Sequence, residues 1–571
     1  MSARFPFRRR HAIWPVVWPA VLLCGLGGPS GALAQQDAGQ ILRQLEGTPA
    51  PPRLQDAPVI DERPALRREI SDVPDLVVDI TAFRLVGVPE AEQPAILDKL
   101  AERRGAGRSF QDILDAAGVV RAHLNSRGYL LAQAYVPEQR LHDGVVEIAV
   151  LMGELGRVEL SFDPATPVSR PRVEAYLARL RPGAVLHTGD LERVLFLLND
   201  MHGVHAVSTI RPGSRPGTAD LLVEVRPDRA LSGNLQLDNM GSRYTGALRA
   251  QGGLVVGSPL GQGDSLSLRG IFSQDSGINF GSVSYVLPVG ADGWRVGASF
   301  SNLNYKLLAR TGVPQHTGEA SDALLFALYP LVRSRNFNVF VQAGYDHKTF
   351  VDSPVAGAEV HRRSDSALVT LSGDLRDRFL GGGINSFSLG YTHGSLDNPT
   401  AAQGTPQGLF RRINPFYARL QTIGQTGWLV FLRYAGQFTV DRLDSSEKFS
   451  LGGPTGVRAF PVGEAPADRA HLVSAELRYA FPNREGGLPG AMVGTLFMDW
   501  GQARLDRDPS AGNGVFDKNT RILSGVGVGL NWATAASWSA QASLAWRVQG
   551  DLVNDKLDQR PRAYAQITHY F

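Results

Sequence analysis

From about Leu231 to Phe571 apolar and polar residues alternate in segments of about ten, and no helical period survives. In WRVGASFS, Trp294, Val296, Ala298 and Phe300 fall on one side, with Arg295, Gly297, Ser299 and Ser301 on the other. Phe337, Val339, Val341, Ala343 and Tyr345 do the same in NFNVFVQAGY. So do Trp538, Ala540, Ala542, Leu544, Trp546 and Val548 in WSAQASLAWRV. A soluble β-sandwich and a membrane barrel both fit this period. Segment length, Trp and Tyr near segment ends, and the terminal aromatic of THYF favour the barrel. At roughly 20 residues per strand and connector, the region would hold about 16 antiparallel strands.

Upstream the pattern is mixed and repeats once. LVVDITAFRLVG reads as a strand, Ile96, Leu97 and Leu100 mark a helix, and SFQDILDAAGVVRAHLNSRGY a second helix. There Ser109 and Asp112 form a capping signature, with Phe110, Ile113, Leu114, Ala117 and Leu124 on one face. Strands LLAQAYVP and VVEIAVLMG follow around the turn His142-Asp143-Gly144. The order recurs as RVELSF, helices across Val173 to Leu180 and Leu191 to Leu198, then VHAVSTIRPG and DLLVEVRP. Ahead of both units, Ile41, Leu42 and Leu45 lie at helical spacing in QDAGQILRQLE, which stops at Gly47. A Pro-rich stretch follows and reads as an extended linker.

The first 34 residues put Arg4, Arg8, Arg9 and Arg10 before an apolar run and end on Ala32-Leu33-Ala34, the pattern of a secretory signal peptide. Lipidation at Cys24 is the alternative there, disfavoured by the bulky Leu23 before it. Cys24 is the chain's single cysteine, so cleavage leaves neither disulfide nor thiolate metal site. Removing the four signal arginines takes the net charge from +3 to −1, which gives no support to nucleic-acid binding. The expected segments are a signal (1–34), a short helix (35–47), a linker (48–74), two α/β modules (75–153 and 154–227) and a β-region (228–571).

Chemistry-bearing patterns are sparse. No GxSxG, HExxH or Walker loop is present, so no catalytic residue and no cofactor is assigned. GVGVGLNWA (Gly525 to Ala533) lacks the final glycine of a nucleotide loop and reads as a barrel strand. His202 and His205 lack an evident third ligand, and no metal site is expected. GGPTGVRAF, however, places Arg458 in a Gly- and Pro-rich turn between strands, and FMDWG follows on a later strand.

With VRAF (Val457, Arg458, Ala459, Phe460) and FMDWG (Phe497, Asp499, Gly501) in this order, the sequence resembles the Omp85 superfamily. Two modules before the barrel point to its TpsB branch, the transporters of two-partner secretion that include haemolysin activators. AGQILRQLEG resembles that branch's plug helix, and GYLLAQAYVPEQRLHDGVVEIAVLMGELG its first POTRA module, carrying Gly128, Tyr129, Pro137 and Gln139. DNMGSRYTGALR resembles the barrel entry, and FSLGGPTGVRAF with SAELRY the core.

The resemblance implies an outer-membrane transporter: two α/β POTRA modules in the periplasm followed by a transmembrane barrel. Its client would be an unfolded TpsA-like exoprotein, a haemolysin, adhesin or contact-dependent toxin. Outer-membrane lipid, lipopolysaccharide and the barrel-assembly machinery are its other implied partners. It further implies that the loop carrying Arg458 folds into the barrel and meets Asp499, with Phe460 packed on the wall, while the helix of Ile41, Leu42 and Leu45 rests in the pore. A planar guanidinium suits such a grip on a carboxylate better than an ammonium does. Gly128 and Tyr129 read mainly as structural. Ala459 stands where the family has Gly, a change that is harmful only if the position needs positive φ or a close approach. A barrel-assembly factor of the same superfamily is the alternative, and a passive porin or barrel enzyme a remote one.

Overall fold

The structure is a computed structural model that describes residues 37–46, 60–62, 77–308, 316–355, 357–399, 405–482, 489–508, 519–534, 537–553, 555, 557 and 559–571. The expected signal peptide, Cys24 and most of the linker lie outside the described residues.

Sixteen antiparallel strands, from Leu231–Asp238 to Arg562–Tyr570, form a closed barrel. The first and last strands seal it, with Asn234 to Asp238 paired against Tyr570 to Gln566. The backbone of Phe571 extends the seam, exchanging hydrogen bonds with Gly233 at 3.0 and 3.1 Å. Closure matters because lipid offers no partner to a free sheet edge. Trp294, Val296, Ala298 and Phe300 are exposed on the outer wall while Ser301 is buried within, so the alternation faces lipid and lumen as expected. Aromatic pairs Trp294 with Tyr329 (4.6 Å between centroids) and Trp428 with Tyr479 (4.8 Å) sit at the strand ends near the soluble modules.

Several strands exceed the expected ten residues, reaching 18 in His316–Arg333, Phe337–Pro354 and Val360–Asp377. About ten tilted residues cross the hydrocarbon, so the surplus rises above it. The outward positions of Val360–Asp377 record the boundary, changing from His361, Arg363 and Asp365 to Ala367, Val369 and Leu371.

The two α/β modules share one topology. In the first, Ala82–Val86 runs parallel to Val145–Leu151, and the short Gln133–Tyr135 pairs antiparallel on its other side. In the second, Glu154–Phe162 runs parallel to Thr218–Pro227, with Val204–Pro212 antiparallel at the equivalent edge. Helix Phe110–Ser126 begins with the expected capping box: Ser109 Oγ accepts from Asp112 N–H at 3.2 Å, and Asp112 Oδ2 accepts from Ser109 N–H at 2.9 Å. Its buried face is Ile113, Ala116, Ala117, Val120 and Leu124, with Phe110 and Leu114 only half-buried at the margin.

Two features depart from the expected layout. LVVDITAFRLVG divides into Val77–Ile80 and Ala82–Val86, and the former pairs with Gly105–Ser109 in a separate two-stranded sheet. Within the expected linker, Ile60–Glu62 is a strand, added parallel to Val204–Pro212 of the second module. Three residues flanked by proline and charge carry no period long enough to read as a strand.

Candidate functional site inside the barrel

Residues 438–468 connect the wall strands Trp428–Gln437 and Arg469–Phe481 at the barrel end opposite the soluble modules, and fold into the lumen instead of outward. A small hairpin, Phe449–Ser450 with Pro466–Ala467, stiffens the loop. Its tip reverses through Gly453 at φ +116°, and Gly453 N–H donates to Phe460 O at 3.1 Å. Phe449, Leu451, Val457, Ala459 and Phe460 pack with wall residues Leu472, Phe497 and Ala545 into one buried apolar cluster.

The structure brings Arg458 and Asp499 together. Arg458 Nε and Nη2 donate to Asp499 Oδ2 and Oδ1, both at 2.8 Å, and the Arg458 backbone N–H adds a third bond at 3.1 Å. Asp499 is fully buried and Arg458 only 8% exposed. The remaining arm, Nη1, reaches Glu476 Oε1 at 2.8 Å, and Arg478 Nη2 braces the other oxygen of Glu476 at 2.7 Å. Below the guanidinium lies Phe497, its ring centroid 3.4 Å from Arg458 Cζ. One cation is thus held by two carboxylates and an aromatic face inside a narrow lumen, where screening is weaker than at a surface.

Asp499, Phe497 and Gly501 alternate on the lumen side of Ala491–Arg504, so the strand's two-residue period places them in one column. Gly501 makes room for the loop, because a Cβ there would meet the Leu451 side chain at 2.8 Å. Ala459 does not adopt positive φ, so alanine carries no backbone strain at this position. Its methyl instead rests on Gly525 of the wall, where an added Cβ would come within 2.5 Å of it. Phe460 is fully buried, and its carbonyl accepts from Tyr564 Oη at 3.1 Å.

Helix Ala38–Glu46 lies in the lumen beside the loop. Ile41, Leu42 and Leu45 are buried against Phe280, Leu303 and Phe350 of the wall. Arg43 reaches Glu447 of the loop at 3.2 Å and Gln437 at 3.0 Å. At the helix start, Asp37 lies 3.1 Å from Arg362, which also binds Asp352 at 2.6 Å and Asp444 at 2.9 Å. Two separate groups of ion pairs therefore tie the helix to the loop and the wall.

The residues expected as a POTRA signature lie elsewhere. Gln139 is structural: its amide donates to Glu147 O at 2.9 Å and to Pro137 O at 3.2 Å, and accepts from Glu147 N–H at 2.7 Å. Gly128 and Tyr129, read as structural, form the joint between the modules. Gly128 O accepts from Thr188 N–H at 2.8 Å, and Tyr129 meets the His187 ring edge-on at 5.6 Å. Glycine is required there, since φ is +97° and a Cβ would sit 2.3 Å from that ring.

The second module docks on the barrel's periplasmic rim through Asp200, which binds Arg295 at 2.7 Å and Arg333 at 2.8 Å. Burial alone would raise the Asp200 carboxyl, but the two guanidinium groups outweigh it and hold the group below its ordinary value.

Sequence reasoning missed Glu476, Arg362 and Gly525. Glu476 carried a signal, being an acid at an inward position of SAELRY. Among the described residues, no group of three or more His, Cys, Asp or Glu is placed to hold a metal ion.

A model of the haemolysin secretion/activation proteins ShlB/FhaC/HecB matches residues 217–532, and one of the ShlB-type POTRA domain matches 78–153. The heme/hemopexin transporter protein HuxB of Haemophilus influenzae strain 86-028NP is 26% identical over 92% of this chain and 93% of its own. The outer membrane transporter CdiB of Escherichia coli O6:K15:H31 is 25% identical over 68% of this chain and 66% of its own. In fold, the chain is similar to CdiB from Escherichia coli (TM-score 0.68, 18% identity, 89% of this chain and 93% of that one). It is also similar to CdiB from Acinetobacter baumannii (TM-score 0.61, 18% identity, 93% and 96%).

Proposed function

Because the chain belongs to the haemolysin secretion/activation protein family, we propose that it receives an unfolded exoprotein at its POTRA modules and passes it through the barrel to the cell surface. It is an outer-membrane protein whose barrel crosses the bilayer and whose soluble modules stand in the periplasm. Its family is made up of transporters, and no catalytic role is assigned to it. The partner is a TpsA-like exoprotein, in the class of haemolysins, adhesins and contact-dependent toxins. Outer-membrane lipid and lipopolysaccharide surround the apolar band, and the barrel-assembly machinery inserts it.

One observation carries this reading: the lumen is filled by two pieces of the chain that are held to the wall by side chains and could leave it. The plug helix and residues 438–468 belong to no wall strand, and their ion pairs can exchange without breaking the barrel ladder. A passive pore has no need of removable contents or of two receiving modules. Exposed strand edges of the modules suit an extended chain, which adds by backbone hydrogen bonds. Export is driven by folding outside, since burial of apolar surface there opposes return.

In this scheme Arg458, Asp499, Phe497 and Glu476 hold the loop in the position that keeps the pore competent. Arg458→Ala leaves two buried carboxylates without their shared cation, a change worth roughly 3 to 5 kcal/mol. The expected result is a barrel inserted at normal levels, heat-modifiable on gels, that exports at most a tenth of the wild-type amount of exoprotein. Wild-type export from that variant would refute the role of the loop.

A further inference from the structure

The two modules have the same topology, yet their equivalent edges differ. In the first, no strand lies beyond Gln133–Tyr135 among the described residues. In the second, the edge strand Val204–Pro212 is covered by the chain's own Ile60–Glu62, with Ile60, Asp61 and Glu62 opposite Ser208, Thr209 and Ile210. We infer that this edge is the docking site of an extended client segment, and that Ile60–Glu62 is a resident stand-in which the client displaces to release the plug. The inference rests on the transport reading.

Three features of the pairing support displacement. The stand-in is three residues long, and the next outward backbone groups on the edge are held only by a side chain, since Ala206 N–H donates to Asn199 Oδ1 at 2.9 Å and Ala206 O accepts from Asn199 Nδ2 at 2.8 Å, so an incoming strand that displaces this one amide can start pairing there. A longer strand then gains more ladder bonds than the stand-in loses, and exchange proceeds one residue at a time. The pairing is parallel, so a client that takes the place of the stand-in residue for residue lies in the same direction along the edge. Three residues also gain few hydrogen bonds against the entropy of ordering them, so the contact is poised for exchange.

The contact lies between the plug and the first module, and this position links docking to gating. Glu46 ends the plug helix, Ile60 begins the pinned strand, and Val77 begins the first module. With the strand pinned, the 14 steps from 46 to 60 let the plug move no more than about 50 Å from the second module's edge. With it released, the plug is tethered only at Val77, 31 steps away, with a reach of about 100 Å. Client docking would therefore double the slack available to the plug at the moment a chain is ready to enter.

The test uses the full-length protein in outer membranes. Asp61→Cys with Thr209→Cys places thiols at paired positions in a mature chain expected to have no others. Under mild oxidation, most of the resting protein should cross-link, the yield should fall at least threefold with exoprotein arrested in transit, and oxidised cells should export about tenfold less until dithiothreitol restores them. No cross-link in the resting protein, or equal export by oxidised and reduced cells, would overturn the inference. A second variant replaces Ile60, Asp61 and Glu62 by glycine, keeping linker length. Reconstituted in planar bilayers, it should open spontaneously several times more often than wild type, and an unchanged opening frequency would also overturn the inference. If the wild type itself exported no exoprotein, the transport reading would fall, while the bilayer and resting cross-link measurements would still decide whether the strand restrains the plug.

Discussion

Arg458→Lys separates the geometry of the latch from its charge. Lysine keeps the cation but offers no fork, and from one ammonium it can serve Asp499 or Glu476, not both in their present directions. The arginine makes three charge-assisted side-chain hydrogen bonds at 2.8 Å and stacks on Phe497. Losing two such bonds removes roughly 3 to 6 kcal/mol, and losing the stacked face a further 0.5 to 2. The retained charge, and the backbone bond from residue 458 to Asp499, offset part of this. A net loss of about 4 kcal/mol raises the undocked fraction of the loop about a thousandfold. The assay compares export with protease access to the loop from the cell surface, at matched barrel levels. Export should fall at least tenfold as cleavage in residues 438–468 rises. Wild-type export and protection from the Arg458→Lys protein would show that charge alone suffices, and would refute the argument from the fork.

Gly525→Ala should force the loop off the wall, because its new methyl would sit 2.5 Å from that of Ala459. Overpacking of this kind costs about 1 to 3 kcal/mol, read as a lower unfolding midpoint on heated gels, and Ala459→Gly in the same chain should restore the midpoint. Arg362→Ala would leave Asp37, Asp352 and Asp444 facing one another without a cation, so bilayer recordings should show a higher resting conductance as the plug is repelled. The docking of the second module should resist mild acid. Asp200 is held below its ordinary value in the folded protein, so its contribution is complete above an unfolded value of about 4 and is lost only as pH falls below that. Hydrogen exchange in helix Thr188–Asn199 should thus be unchanged by docking loss between pH 8 and 5 and quicken below about 4, whereas Asp200→Asn should quicken it at pH 7.

The barrel was legible because lipid outside and a polar lumen inside impose a period of two on every wall strand. Trp294 to Phe300 and Trp538 to Val548 display that period without reference to any partner. The modules were legible in the same way, since helix Phe110–Ser126 carries its cap and its apolar face locally. The meeting of Arg458 with Asp499 was foreseen only through the resemblance of their two motifs, 41 residues apart.

What surrounds that pair could not be read in this way. Glu476 joins Arg458 because barrel registry sets Ser474 opposite Asp499, which brings the next inward residue of that strand within reach of the guanidinium. Ala459 is accommodated because Gly525 happens to face it, and Gly128 is required because the His187 ring lies against it across the modules. Alternation and capping are written into neighbouring residues, so a membrane barrel preceded by two α/β units can be read from the chain order alone. Which lumen side chains share a cation, where a methyl finds room, and which edge the linker covers depend on strand register and chain return, which bring together residues distant along the chain.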